Sequence, residues 1–215
     1  MRPLYFSHVE PILLSLYLTF ARPSAIIQIR NEKGMKAMEK VIEFIHELYD
    51  SMRLYFENND YIDESKLRLF VNEYNTLHST EIEYHSGINR HAIVLEDYVV
   101  KFDLRDTSKS YFGGCEREAK GYEFACERNM EYLFAPVTKY DYKGKTFYIM
   151  PRIEYVDEEL DNSVLYEELS DEERNFLENY FDDLHSGNFG FNAFGEVKIF
   201  DYACFFKDGV QTFKA

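Results

Sequence analysis

The sequence predicts an α+β protein in which helices come first and antiparallel strands follow. In the first third of the chain, apolar side chains recur at the three-and-four spacing of amphipathic helices. From about residue 80, short β-branched or aromatic runs alternate with turn residues, which is typical of consecutive antiparallel strands. With 215 residues and 46% hydrophobic content, the chain can bury a core of its own. We therefore divide it into a helical extension, residues 1–79, and a mixed core, residues 80–215.

Two helices are predicted late in the extension. The first covers residues 35–57, where apolar side chains share one face. The second follows the polar break NNDYIDES and carries Leu67, Phe70 and Tyr74 on one face. No catalytic constellation is visible in either segment, so packing is the role that we expect for them.

The apolar run PILLSLYLTFA, near the N-terminus, is predicted to be a buried helix. It is short for a bilayer span, Glu10 and Arg22 bracket it, and it lacks the basic region of a secretory signal. The three cysteines have no metal-site spacing and cannot all pair within one chain, which favours a reducing compartment. We therefore expect a cytoplasmic protein with no membrane partner.

The middle of the chain is predicted to form three strands, one helix and two further strands. Turn residues separate the first three strands, and Lys143, Gly144 and Lys145 join the last two. In order, the strands cover 81–87, 91–97 and 98–104, the helix covers 117–129, and the last strands cover 132–142 and 145–155.

After an acidic linker, a helix is predicted over about residues 171–181. Ser170 and Glu173 form a capping box at its start. The helix leads into the segment DDLHSGNFGF, and a hairpin follows that turns near residues 192–195.

The charge of the chain disfavours one class of partner. The formal net charge is −15, and residues 151–215 hold 16 acidic and 5 basic side chains. Such a surface repels phosphate backbones, so we expect no nucleic-acid partner. Solubility is the simplest reason for the acidic excess.

Polar residues are concentrated in DDLHSGNFGF, between two apolar segments. Strand pairing in the predicted hairpin brings Asn188 beside Asp201. Two oxygen ligands close together suit Mg²⁺, which takes its other ligands from water and phosphates. Asp183 can then face a substrate hydroxyl while Asn188 holds the metal.

The order of these residues resembles the catalytic loop and metal-binding aspartate of the protein-kinase-like fold. The pattern is D-L-x-x-x-N from Asp183 to Asn188, followed by a hairpin and Asp201. The variant DLHSGN is closer to atypical kinases and aminoglycoside-phosphotransferase-like enzymes than to ordinary eukaryotic kinases. The chain most resembles small bacteriophage-encoded serine/threonine kinases. The resemblance implies a reduced two-lobed fold with an N-lobe at about 80–155 and a truncated C-lobe at about 156–215.

The resemblance also implies a nucleotide site in the N-lobe. Lys101, at the end of the apolar run YVVK, would hold the α and β phosphates of ATP. A glutamate on the following helix would orient this lysine. We choose Glu118 over Glu116, because Tyr122, one turn after Glu118, can face the core.

An ATP- and Mg²⁺-dependent phosphotransferase is the function that the resemblance implies. Asn188 and Asp201 would bind Mg²⁺, and Asp183 would orient the acceptor hydroxyl and take its proton. A hydroxyl side chain of a host protein, in the host-cell cytosol, is the acceptor expected by analogy. Two alternatives stay open: a pseudokinase that binds nucleotide or a host protein, and a small-molecule kinase. The oligomeric state is also left open.

The sequence departs from the kinase pattern at the glycine-rich loop and at the C-terminal end. Only Gly87 stands where three glycines are usual, and Ser86, Asn89 or Arg90 would have to add contacts to phosphate. The 14 residues after Asp201 leave no room for an activation segment or the large C-lobe helices. We expect the N-terminal helices to pack in their place.

Overall fold

The structure is a computed structural model, and its architecture confirms the predicted α+β class. It describes residues 32–58, 63–87, 90–103, 114–155 and 169–209. The predicted N-terminal apolar helix, Asn89 and the acidic linker lie outside these ranges. The chain divides into two compact units, residues 1–43 and 44–215. In the first unit, the described residues form the beginning of one helix.

Among the described residues, three helices precede the strands, and the first two replace the single helix predicted over 35–57. Met52 is a turn residue between them, although its N–H still donates to the Leu48 carbonyl at 3.0 Å. Asp63 caps the third helix by accepting from the Ser65 N–H at 2.8 Å, which satisfies a backbone donor that the first turn leaves unpaired. The helices are α1 (Glu32–Ser51), α2 (Arg53–Asn58) and α3 (Glu64–His78).

Five antiparallel strands form the larger sheet, in the order β1-β2-β3-β5-β4. Two of the predicted strands are shorter than expected. The one predicted from residue 132 starts at Thr138, because Glu131–Leu133 form a 3-10 helix and Pro136 has no N–H for a ladder. The one predicted to reach residue 155 leaves this sheet after Pro151. The strands are β1 (Glu83–Ser86), β2 (Arg90–Val94), β3 (Tyr98–Asp103), β4 (Thr138–Tyr142) and β5 (Lys145–Pro151).

One face of this sheet packs against the helices that precede it. The ring of Phe56 lies 5.7 Å from that of Phe102 and 5.6 Å from that of Phe147. His46, on α1, shares a 2.8 Å hydrogen bond with the Tyr140 hydroxyl of β4. The expectation that the N-terminal helices pack in the place of C-lobe helices is therefore wrong for residues 44–78, because these residues pack against the larger sheet.

The opposite face of the sheet carries helix α4 (Cys115–Glu127), which also contacts the C-terminal region. A Cβ at Gly121 would lie 3.1 Å from the Phe181 ring and 3.2 Å from Phe205. Only a glycine allows so close an approach without displacing these rings. The same region contains α5 (Asp171–Tyr180), which begins with the predicted capping box of Ser170 and Glu173.

The second sheet has three antiparallel strands in the order β6-β7-β8. Its central strand contains Gly190, where a Cβ would lie only 2.3 Å from the Glu154 carbonyl oxygen. The predicted hairpin is confirmed, since the Asn192 side chain accepts from the N–H groups of Phe194 and Glu196 at 2.9 Å. The strands are β6 (Glu154–Tyr155), β7 (Phe189–Phe191) and β8 (Val197–Ile199).

Helices long and apolar enough to span a bilayer do not occur within the ranges described above.

Candidate active site

A buried ion pair joins the larger sheet to helix α4. The Lys101 Nζ donates to Glu118 Oε1 at 2.9 Å and to Oε2 at 3.0 Å. It also donates to the Phe200 carbonyl at 2.8 Å, one residue before Asp201. Lys101 is 6% exposed and Glu118 is fully buried. Since an ammonium has three N–H donors, these contacts use all of them.

Glu118 is the point at which three parts of the chain meet. Besides Lys101, it accepts from the Tyr202 N–H at 3.4 Å and lies 3.8 Å from the Arg90 NH1. Its neighbour Glu116 points elsewhere, accepting from the Tyr148 hydroxyl at 2.9 Å. The structure thus brings Lys101 to Glu118 and not to Glu116, while the role of the pair in binding nucleotide stays a prediction.

Arg90 reaches Asp201 from the first position of β2. Its NH2 donates to Asp201 Oδ1, and its NH1 has no hydrogen-bond partner among the described residues. Burial disfavours the charged guanidinium, but Glu118 and Asp201 outweigh it and raise the pKa of Arg90. Burial likewise opposes ionisation of Asp201, yet Arg90 and Lys101 hold the pKa of this carboxyl below its ordinary value. Both groups are therefore charged at neutral pH.

The loop from Phe181 to Asn188 is fixed at both ends. Phe181 forms a β-bridge with Phe205, and the Asp182 N–H donates to the Cys204 carbonyl at 2.9 Å. At the other end, the Asn188 carbonyl accepts from the Phe200 N–H at 2.9 Å, and the Asn188 N–H donates to the His185 carbonyl at 2.8 Å within the loop. The loop is therefore held on the core, although the side chains of Asp183 and His185 are exposed.

Asp183 lies in this loop with an exposed side chain and a left-handed backbone, at φ 60°. Aspartate tolerates this conformation better than most residues, but it is still sparsely populated. The Asn188 side chain stabilises it by donating to the Asp183 carbonyl at 2.5 Å. Backbone outliers of this kind are enriched at functional sites. The Asp183 carboxylate thus faces solvent, while the Asp183 backbone is held by Asn188, the last residue of the D-L-x-x-x-N pattern.

The β7–β8 hairpin places Asn188 opposite Phe200, one residue before Asp201, and a shared metal site of Asn188 and Asp201 stays a prediction. The Phe200 N–H donates to the Asn188 carbonyl at 2.9 Å, which extends the ladder one step towards Asp201. The Asn188 amide nitrogen is occupied by Asp183, so its oxygen is the atom left for a cation. No cluster of three or more His, Cys, Asp or Glu suited to a metal occurs among the described residues. One carboxylate and one amide oxygen fit Mg²⁺, which completes its shell with water and phosphate oxygens.

Gly87 does not require the special freedom of a glycine. Its φ is not positive, and an added Cβ would meet the Arg90 carbonyl at an ordinary 3.5 Å. Its N–H donates to that same carbonyl at 2.9 Å, inside the β1–β2 connection. Ser86, the residue before it, donates through its hydroxyl to Glu64 on α3. A role of Gly87 in binding phosphate stays a prediction.

His185 has a structural contact in the loop. Its Nδ1 accepts from the Gly187 N–H at 3.1 Å. In this bond Nδ1 acts as the acceptor. A donor role for His185 towards a substrate would fall to Nε2.

The pairing of Arg90 with Asp201 and Glu118 was not foreseen from the sequence. The sequence points to Arg90 only as one of several residues near the glycine-rich loop that could contact phosphate. The alternation of side chains along β2 indicates part of this pairing. Ala92 pairs with Lys101, and Arg90, two positions earlier, lies on the same face of the sheet. Contact with Asp201 depends on long-range packing that no local pattern reveals.

Comparisons with known proteins give only faint similarity. No protein-family model matches the chain, and no curated protein is significantly similar to it in sequence. A co-crystal structure of WbdD with the kinase inhibitor LY294002 aligns at 16% identity and a TM-score of 0.29, covering 58% of this chain and 32% of that one.

Two further structures of the same protein align similarly. One, described as the bifunctional kinase-methyltransferase WbdD, has 16% identity and a TM-score of 0.28, covering 58% of this chain and 30% of that one. A high-resolution crystal structure of WbdD has 13% identity and a TM-score of 0.29, with 62% and 33% covered. The chain thus spans about a third of the length of these structures. Similarity at this level carries no conclusion about family or activity.

Proposed function

We propose that the protein is an ATP-dependent phosphotransferase with a reduced two-lobed, kinase-like core. The supporting observation is the convergence of the Lys101–Glu118 pair with the segment that carries Asp201. This pair comes from the sheet and helix α4, and the Lys101 contact to the Phe200 carbonyl fixes its position beside Asp201. A buried ion pair made of distant segments is costly to desolvate, so its presence calls for a reason beyond stability.

In this proposal, each polar residue has one task. Lys101 supplies positive charge for the α and β phosphates, and Glu118 holds it in place. Asp201 and Asn188 would hold Mg²⁺, which neutralises phosphate charge when bound. Asp183 orients the acceptor hydroxyl and accepts its proton. Positioning and charge neutralisation account for most of the rate acceleration in such reactions.

The acceptor is proposed to be a hydroxyl side chain of a host protein, in the host cytosol. The exposed position of Asp183 supports a macromolecular acceptor, because a carboxylate on an open loop can be reached by a side chain of another protein. A small-molecule acceptor remains compatible with the acidic C-terminal region.

A second candidate is a pseudokinase, a binding module that holds nucleotide without transferring phosphate. One observation favours it: Arg90 already contacts Asp201, the residue that would bind Mg²⁺. A module of this kind would bind ATP but would not label any protein.

The test is transfer of labelled γ-phosphate from ATP and Mg²⁺ to a host-cell lysate and to the protein itself. We expect labelling by the wild type and its loss in Asp183→Ala and Asp201→Ala. Asp208→Ala, an exposed turn aspartate, is the matched control and should label like the wild type. Equal labelling by all four proteins would refute the residue assignments. Nucleotide binding without labelling would favour the pseudokinase.

A further inference from the structure

Arg90 is the cation of this site that has an unpaired hydrogen-bond donor among the described residues. Lys101 donates its three N–H groups to the two Glu118 carboxylate oxygens and the Phe200 carbonyl. The NH1 of Arg90, by contrast, is buried without a hydrogen-bond partner among the described residues, and its nearest carboxylate oxygen, on Glu118, is 3.8 Å away. A charged donor left in this state is unfavourable unless a ligand completes it.

Access to the site also points to Arg90. The exposed fraction of the side chain is 42% for Asp201, 17% for Arg90 and 7% for Lys101. An anion that approaches from solvent therefore meets Asp201 and Arg90 before Lys101. Asp201 repels it, and because NH1 itself is buried, a phosphate oxygen reaches NH1 only when the surrounding side chains move aside to admit it.

The chemistry of the guanidinium matches phosphate. Its planar fork presents parallel N–H donors that pair with two oxygens of one anion, which an ammonium cannot do. With NH2 on Asp201, the free NH1 can donate to a phosphate oxygen next to that carboxylate. Arg90 then screens Asp201 from the phosphate, which is part of the task that a divalent cation performs in phosphate sites.

We propose that Arg90 binds the polyphosphate chain of a nucleotide directly, through NH1, while NH2 stays on Asp201, so that nucleotide binding persists without a divalent cation. This inference rests on the proposed function, since it assigns a further residue to the same site. It predicts a site in which protein charge replaces part of the metal charge during binding. Transfer itself still uses Mg²⁺.

The experiment measures binding of ATP and AMP to the full-length chain by titration calorimetry, once with EDTA and once with Mg²⁺. Wild type is compared with Arg90→Met, which removes the charge, and Arg90→Lys, which keeps the charge but removes the fork. Arg174→Met is the control, because Arg174 is a partly exposed α5 arginine whose only ion pair among the described residues is with Asp171. Melting curves establish that each variant is folded.

We expect wild type to bind ATP in EDTA, and Arg90→Met to weaken this binding by about tenfold to a hundredfold, the range for one charge-assisted hydrogen bond. Arg90→Lys should lie between the two, and AMP binding should change little. With Mg²⁺ present, Arg90→Met should lose much less affinity, because the freed Asp201 can hold the cation. If Arg90→Met fails to fold, the comparison of Arg90→Lys with wild type carries the test.

Three results would overturn the inference, and they separate it from the proposed function. If wild type binds ATP with Mg²⁺ but not in EDTA, the role of Arg90 is wrong and the proposed function stands. If Arg90→Met binds ATP in EDTA as tightly as wild type, the conclusion is the same. If wild type binds ATP under neither condition, the nucleotide site itself is wrong, and the proposed function fails with it.

Discussion

The candidate site has two halves that differ in their surroundings. The buried half consists of Arg90, Lys101 and Glu118, and the exposed half consists of Asp183 and His185, while Asp201 lies between them as the ion partner of Arg90. In the buried half, the hydrogen bonds of Lys101 and Glu118 connect the larger sheet, helix α4 and the C-terminal segment with one another. In the exposed half, the side chains face solvent, and hydrogen bonds to the C-terminal segment hold the backbone of their loop in place. Folding and binding therefore depend on the first half, and chemistry on the second.

This difference predicts which substitutions should affect stability and which should affect only activity. Removing a charge from the buried half leaves its partner desolvated and unpaired, which destabilises the fold. Removing a charge from the exposed half leaves water to take its place. The same substitution type should thus destabilise the fold in one half and only inactivate the protein in the other.

The largest effect is expected for Glu118→Ala. Lys101 would keep only the Phe200 carbonyl, and the free energy of unfolding should fall by about 3–5 kcal/mol. Glu116→Ala is the matched control two positions earlier on α4, where a half-exposed side chain should contribute about 1 kcal/mol or less. Urea unfolding monitored by circular dichroism measures both. Similar losses for the two variants would contradict the division into halves.

A pH effect of nearly the same size is expected from His91, on the other face of β2. Burial lowers the pKa of His91 to about 4, and its Nδ1 bonds the Tyr84 hydroxyl at 2.7 Å. Because the folded pKa lies below the ordinary 6.5, the fold favours the neutral ring. The contribution of His91 to the free energy of unfolding is therefore fully present above about pH 6.5. It is lost as the pH falls towards 4, a decrease of about 3 kcal/mol in total.

Unfolding free energies measured at intervals between pH 7 and pH 4 test this expectation. His91→Gln should lose stability at neutral pH but show a shallower decline with acid, because glutamine does not titrate. A slope that is the same in both proteins would assign the acid sensitivity to the carboxylates of the site instead.

A smaller effect separates two glycines that flank the site. Gly190→Ala forces a Cβ to 2.3 Å from the Glu154 carbonyl, so β6 and β7 must shift, and we expect a loss of about 1–3 kcal/mol. Gly87→Ala meets nothing closer than 3.5 Å and should change stability by less than about 0.5 kcal/mol. Thermal melting compares them directly. If Gly87→Ala proved the more damaging, the β1–β2 connection would differ from the one described.

The sequence predicts local structure where short-range rules decide it. The capping box of Ser170 and Glu173, the hairpin turn at Asn192 and the strand that ends near Lys101 all follow from residue type and spacing. The prediction that Lys101 pairs with Glu118 rests on the resemblance, and the expected core position of Tyr122 favours Glu118 over Glu116. Within such segments, pattern and fold agree because the same few residues determine both.

Features that depend on packing between distant segments were missed. The break at Met52 and the departure of Glu154 from the larger sheet are set by where the chain has to pass, not by local propensity. The guanidinium of Arg90 reaches Asp201 across 111 positions of sequence. His91 looks like an ordinary strand residue, and only its full burial reveals a depressed pKa.

The most direct test of the account is to measure ATP affinity and the single-turnover transfer rate together in Asp183→Asn. Asparagine keeps the shape and tolerates the left-handed backbone, so stability and ATP affinity should match the wild type. Transfer should fall by about a hundredfold or more, the usual contribution of a positioned proton acceptor. Normal transfer, or a loss of ATP affinity equal to that of Lys101→Met, would contradict the claim that the exposed half performs the chemistry.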